Sequence, residues 1–289
     1  MRVPAALAAY LPSAARLRAT RPALPAMAAL LVLARFAAAH AAPAPIAAPS
    51  TPLAPHRALY TMTLGSSRGG DVVAAKGTMG YEVMDACDGW AVHQRLQMTI
   101  TNSDGQDIQM SSDYTTWESK DGLKLRFHMK QTTDTAVTSQ TDGDASLSRT
   151  GGTGEAHYTS PKEQTVPLEA GTLFPMAHTS AIIAAAREGK KFLSLPLFDG
   201  TDDSGVEDSS VVILDWKQPF ETPYPVLSAL PSTRVRLAFF DRSSKSSTPS
   251  YEVGMRYWEN GVANDLQMDF GDFAMNAKMA EFNVVPRKC

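Results

Sequence analysis

The sequence predicts a mainly β, antiparallel fold: a strongly curved sheet or half-open barrel of about 14 strands, with one α-helix against a face. Three observations predict it. From His56 onward, apolar and polar residues alternate in short runs, the period of half-buried strands. Gly, Asp and Ser separate the runs, and the recurring Asp-Gly pairs suit the positive φ angles of tight hairpins. One stretch, Pro175 to Glu188, breaks the alternation.

The first 41 residues are set apart from this pattern. They hold Arg2, Arg16, Arg18, Arg21 and Arg35, no acidic residue, and an apolar core from Met27 to Leu33. Ala39, His40 and Ala41 follow as a small-x-small cleavage pattern, so residues 1–41 read as a signal peptide cut after Ala41. Arg21, Pro25 and Arg35 interrupt the stretch well short of the roughly 20 apolar residues a membrane anchor needs. Residues 42–55 are rich in Pro and Ala; proline fixes φ and lacks a donor, so this segment reads as a tether. Residues 56–289 then form a single domain with no internal repeat and no linker. Removing the leader takes five of the 27 basic residues, leaving 22 against 30 acidic ones and a net charge of −8. So acidic a chain is poorly suited to nucleic acid or to anionic lipid surfaces.

Within the domain, His56 to Leu64, Val72 to Ala86, Trp90 to Thr101, Ile108 to Glu118 and Leu123 to Gln131 read as successive strands of a meander. The region from Thr132 to Thr153 is weaker and carries at most one short strand, around Ala145 to Arg149. Pro175 at the start and Gly189 just past the end bound the helix. Further strands follow near Lys191 to Leu197, Ser209 to Trp216, Thr233 to Phe240, Tyr251 to Glu259, Asn264 to Phe270 and Ala274 to Val284.

Cys87 and Cys289 are the only cysteines. Export through an oxidising compartment pairs them if the fold brings them together; the alternative is two unpaired thiols. No cysteine directly follows the leader, which argues against a lipoprotein.

No segment carries a catalytic constellation, and no residue is put forward as catalytic, cofactor-binding or metal-ligating. Gly65-Ser66-Ser67-Arg68-Gly69 matches the G-x-S-x-G pattern of serine hydrolases, but a strand follows where that motif needs a helix, so it reads as a hairpin turn. The acidic loop from Asp199 to Asp208 offers oxygen ligands for calcium yet misses the EF-hand pattern at Ser204 and Ser210; a solvated turn is the simpler reading. His56, His93, His128, His157 and His178 never fall at zinc-binding spacings. Phe174, Met176, Ile182 and Ile183, with Trp90, Trp117, Phe127, Trp216 and Trp258, either line an apolar groove or simply form core.

Gly80-Tyr81-Glu82-Val83 leading to Cys87, Leu173-Phe174-Pro175, Phe198-Asp199-Gly200-Thr201-Asp202, Tyr257 to Val262 and Asp269 to Phe273 are, in this order, similar to stretches of the cell envelope integrity protein EipB family of alphaproteobacteria. The resemblance covers the domain from His56 to Cys289. It implies a monomeric periplasmic β-spiral with a cysteine in an early strand, Cys87 here, bonded to one near the C-terminus, Cys289. The spiral in turn resembles periplasmic carriers of lipoproteins, which hold acyl chains in a curved sheet. The expected function is a non-enzymatic role in envelope integrity and resistance to envelope stress, through an envelope protein or an acyl-bearing ligand bound on the concave face, with no cofactor. The alternative is a hydrolase or transferase acting on an envelope polymer.

Overall fold

Alternation of burial along most of the strands sets the architecture. In β1 (His56–Ser67) the residues from His56 to Met62 with even numbers are buried and those with odd numbers are exposed or nearly so, and the same two-residue period recurs through the sheet. The computed structural model describes residues 53–244 and 246–287. The signal-peptide segment, most of the tether and Cys289 lie outside the described residues.

The other strands are β2 (Val72–Asp85), β3 (Gly89–Asn102), β4 (Asp107–Ser119), β5 (Lys124–Thr133), β6 (Ala136–Leu147), β7 (Gly154–Ser160), β8 (Gln164–Leu168), β9 (Phe192–Leu197), β10 (Glu207–Ile213), β11 (Ser232–Asp241), β12 (Tyr251–Trp258), β13 (Ala263–Asp269) and β14 (Phe273–Val284). They form one 14-stranded antiparallel sheet in the order β8-β7-β6-β5-β4-β3-β2-β1-β14-β13-β12-β11-β10-β9. Every ladder joins strands that are consecutive in the chain, except the one that pairs β1 with β14. The sheet does not close, and its two edges, β8 and β9, are consecutive in the chain.

The chain passes from one edge to the other through α1 (Pro175–Arg187). Pro175 occupies the first turn and Gly189, at φ 76, follows the end, as the sequence signals. The helix is not merely laid on one face. Nine of its residues are buried, from Met176 and His178 round to Ile182, Ile183 and Ala186, because small and apolar side chains occupy every side of it. A second, one-turn helix, α2 (Pro225–Ser228), adds to the single helix expected.

The weakly patterned region from Thr132 to Thr153 holds one strand, β6, which is twelve residues long and starts well before the short stretch around Ala145 to Arg149 that was expected. β6 buries only Thr141, Ala145 and Leu147 inward, so its apolar period is faint. Residues 53 and 54, expected to belong to a tether, are seated on the domain. Leu53 is 5% exposed and packs with Val83, Val92 and Met176, while Ala54 donates to the carbonyl of Asn260.

Candidate functional site

The inner face of the sheet and α1 together enclose the region in which a ligand groove was expected. Phe174, Ile182 and Ile183 have no exposed surface, and Met176, Phe127 and Trp258 are each below 8%. These side chains form core and leave no open trough. Two small cavities remain beside α1. One, of about 40 Å³, is bounded by Gln94, Tyr114, His178, Leu237 and Tyr257. The other, of about 80 Å³, lies between Trp90, Glu118, Leu173 and Ala181. Sites that take small organic ligands span roughly 300–1,000 Å³, so neither admits an acyl chain while α1 stays in place.

Polar groups fix the helix inside the sheet. Phe174 at the N-cap position has no side-chain oxygen to offer the first turn, and Glu118 of β4 supplies it, accepting the N–H groups of Met176 and Ala177. Burial pushes the Glu118 carboxyl up to about 8, with the two N–H donors working against that rise. On the next turn the ring Nε2 of His178 lies 2.8 Å from Ser209 Oγ, and Tyr114 donates to the carbonyl of Asp199 at 2.6 Å. A serine beside a histidine is the beginning of a nucleophile-base pair. Ser209, however, is wholly buried in β10 between β9 and β11, where no substrate reaches it.

The outer face is polar. A recess of about 680 Å³ crosses β1 to β5 and is lined by threonines, glutamines and Lys76, with Met62, Met98 and Met110 at its floor. Two of the histidines face outward beside acids, His93 on Asp113 at 3.1 Å and His128 on Asp142. Trp117 lies under the guanidinium of Arg126, and Lys120 caps the ring of Trp90. Trp117 thus takes no part in an apolar groove, and Trp90 borders only the small cavity described above.

Gly65 to Gly69 fall at the end of β1 and in the turn before β2, where Arg68 grips Asp269 of β13 through both nitrogens. In the acidic loop, Asp199 accepts from Thr201 and Asp202 from Ser204, so both carboxylates cap turns of their own loop. Among the described residues no three His, Cys, Asp or Glu side chains converge on a point that could hold a metal. Cys87 sits in the turn after β2 instead of within a strand, in the left-handed region at φ 69, with its N–H on Asp85. The positive φ in this turn thus falls on Cys87 and not on Gly89. Gly89 is required for a different reason: a Cβ there would come within 2.4 Å of the Trp117 indole nitrogen. The partner position, Cys289, lies outside the described residues.

Sequence reasoning missed Glu118. Its role depends on a helix 58 residues further along, and a lone acidic residue closing a strand gives no sign of that.

Comparison with known proteins agrees with this picture. A family model described as EipB-like matches residues 47–286. The cell envelope integrity protein EipB of Brucella abortus (strain 2308) is 29% identical over 245 residues, covering 82% of this chain and 86% of that protein. A crystal structure of a beta-barrel-like protein from the same species, a domain of unknown function, superposes with a TM-score of 0.74 at 29% identity, covering 82% of this chain and all of that one.

Proposed function

The chain belongs to the EipB-like family, and from that membership we propose that it acts in the periplasm as a monomeric, non-enzymatic factor that maintains the cell envelope under stress. Export through a signal peptide cleaved after Ala41 and a disulfide between Cys87 and Cys289 are part of this reading.

The factor works by binding, either an envelope protein or an acyl-bearing ligand. The observation that carries the choice is the occupied interior: Ile182 and Ile183 of α1, without exposed surface, fill the concave face. An acyl chain enters only by displacing the helix, whereas a protein partner can use the outer face or an edge with the fold unchanged. The geometry therefore favours a protein partner. No helix among the described residues is long and apolar enough to cross a membrane.

Deleting the gene is expected to sensitise the cell to detergents and to cell-wall antibiotics; unchanged sensitivity would overturn the proposal. Native mass spectrometry of the periplasmic protein under non-reducing conditions tests the rest. The expected mass is that of the chain from Ala42 onward, less two hydrogens. An acyl adduct on it would move the reading from protein partner to carrier.

A further inference from the structure

We propose that the free edge of β9 receives an extended acidic segment of a partner protein as an added strand. The inference rests on the protein-partner reading above.

Backbone direction along β9 comes first. The carbonyl of Lys191 accepts from Ile213 of β10, and residues alternate from there, so Leu193, Leu195 and Leu197 bond to β10. The residues between them point their backbone groups away from the sheet. At one end this outward edge is already used: Leu173 donates to the carbonyl of Pro196 and accepts from Phe198, a parallel bridge at Leu197. The edge is thus geometrically able to take a strand. Phe192 and Ser194 direct an N–H and a C=O outward with no backbone partner among the described residues.

Side chains add to this. Phe192 is 73% exposed, the most exposed large apolar side chain among the described residues. Its cross-strand neighbour Val212 is half-buried, and Leu214, just past β10, is 57% exposed. Together they make a short apolar strip beside the open backbone groups. The opposite edge of the sheet, β8, carries Pro167 and no exposed large apolar residue. Exposed lysines and prolines blunt an edge against indiscriminate pairing, and here Lys190, Lys191 and Pro196 flank the open window. Lys190 pairs with Glu188 at 2.8 Å, so Lys191, exposed next to Phe192 and in no ion pair among the described residues, is the cation that selects a guest carrying carboxylates. Strand addition of this kind draws affinity from main-chain bonds and specificity from alternate side chains.

A short peptide alternating valine and glutamate is the probe, followed by the amide signals of Phe192 and Ser194. Both amides are expected to shift and to gain protection from exchange, and a peptide with lysine in place of glutamate is expected to do neither. Ser194→Pro removes the outward N–H while leaving the ladder to β10 intact, and should abolish binding. Absence of any shift, an equal response to the lysine peptide, or undiminished binding by Ser194→Pro overturns the proposal. In the deletion strain, Ser194→Pro and Phe192→Ser are expected to fail to restore detergent resistance while melting like the parent. Should Ser194→Pro melt lower, Phe192→Ser, altered only at an exposed side chain, carries the test. Full rescue by both variants removes β9 as the docking edge and leaves the protein-partner reading in place. If the parental gene itself does not restore resistance, that broader reading fails instead.

Discussion

Asp215, just past β10, holds the guanidinium of Arg256 on β12 through both of its oxygens, at 3.2 and 2.8 Å, and also accepts the backbone N–H of Arg234. The Arg256 side chain is 9% exposed and that of Asp215 31%, so the pair lies at the boundary between core and solvent. Burial raises the Asp215 carboxyl, but the Arg256 guanidinium and the Arg234 N–H together outweigh it and leave it below its usual value. For a carboxylate lowered in the folded state, stability is present above the unfolded value and lost as pH falls through the folded one. Asp215→Ala would strand a mostly buried cation, at a cost of roughly 2–4 kcal/mol after allowing for the exposure of the acid. Chemical denaturation at pH 7 checks the magnitude, and Arg256→Met, which removes the buried charge, should cost less.

Glu118 gives the opposite pH dependence. Its folded value near 8 exceeds the ordinary 4.5, so between those limits the folded protein keeps a proton that the unfolded chain has lost. Stability should therefore fall as pH rises from about 5 to 8, and level off above the folded value. Glu118→Gln is expected to abolish that slope. Glu118→Ala leaves two buried N–H groups of α1 without an acceptor, at about 1–3 kcal/mol for each. Urea midpoints measured at pH 5, 6.5 and 8 separate the three proteins.

The proposed pairing of Cys87 with Cys289 would close most of the domain into one loop, for which the chain-entropy estimate is as much as about 5 kcal/mol. Cys87→Ser should melt well below the parent, and a reducing agent should lower the parent to the same temperature. A variant that melts like the parent would argue against the bond.

Gly200 shows what the acidic loop is built for. It adopts φ 70, and a Cβ on it would come within 2.3 Å of the Phe127 ring. That ring is also in edge contact with Tyr158 and Phe198. Gly200→Ala is expected to destabilise the fold by about 2 kcal/mol or more, through positive φ and overpacking together. Calcium, in contrast, should leave the melting temperature of the parent unchanged; a calcium-dependent rise would restore the metal reading of this loop.

Most strands were legible because one face of each is core and the other is water, as the alternation from His56 to Met62 shows. β6 was not, for a packing reason. Gly143 has no side chain because a Cβ would sit 2.6 Å from the Phe127 ring, so the core beneath β6 is filled by its neighbours' aromatic rings instead of its own apolar residues. The helix was legible from Pro175 and Gly189, but its enclosure was not, since a run of alanines suits one covered face as well as several. The edge at Phe192 was hidden for a similar reason. An apolar residue opening a strand reads as core until the sheet order leaves that strand without a neighbour.

The pairing of β1 with β14 has a kinetic consequence. Every other ladder joins strands adjacent in the chain, so each half of the sheet can zip up from its own hairpins, and the slow event is the meeting of the two ends across more than 200 residues of chain. His56 lies opposite Val284, close enough for a short linker to join the ends. Opening the chain instead at exposed Gly189, between α1 and β9, would turn the whole sheet into one uninterrupted meander. Such a circular permutant of the described domain is expected to refold faster than the parent in stopped-flow experiments, with the distant seam converted into one more hairpin.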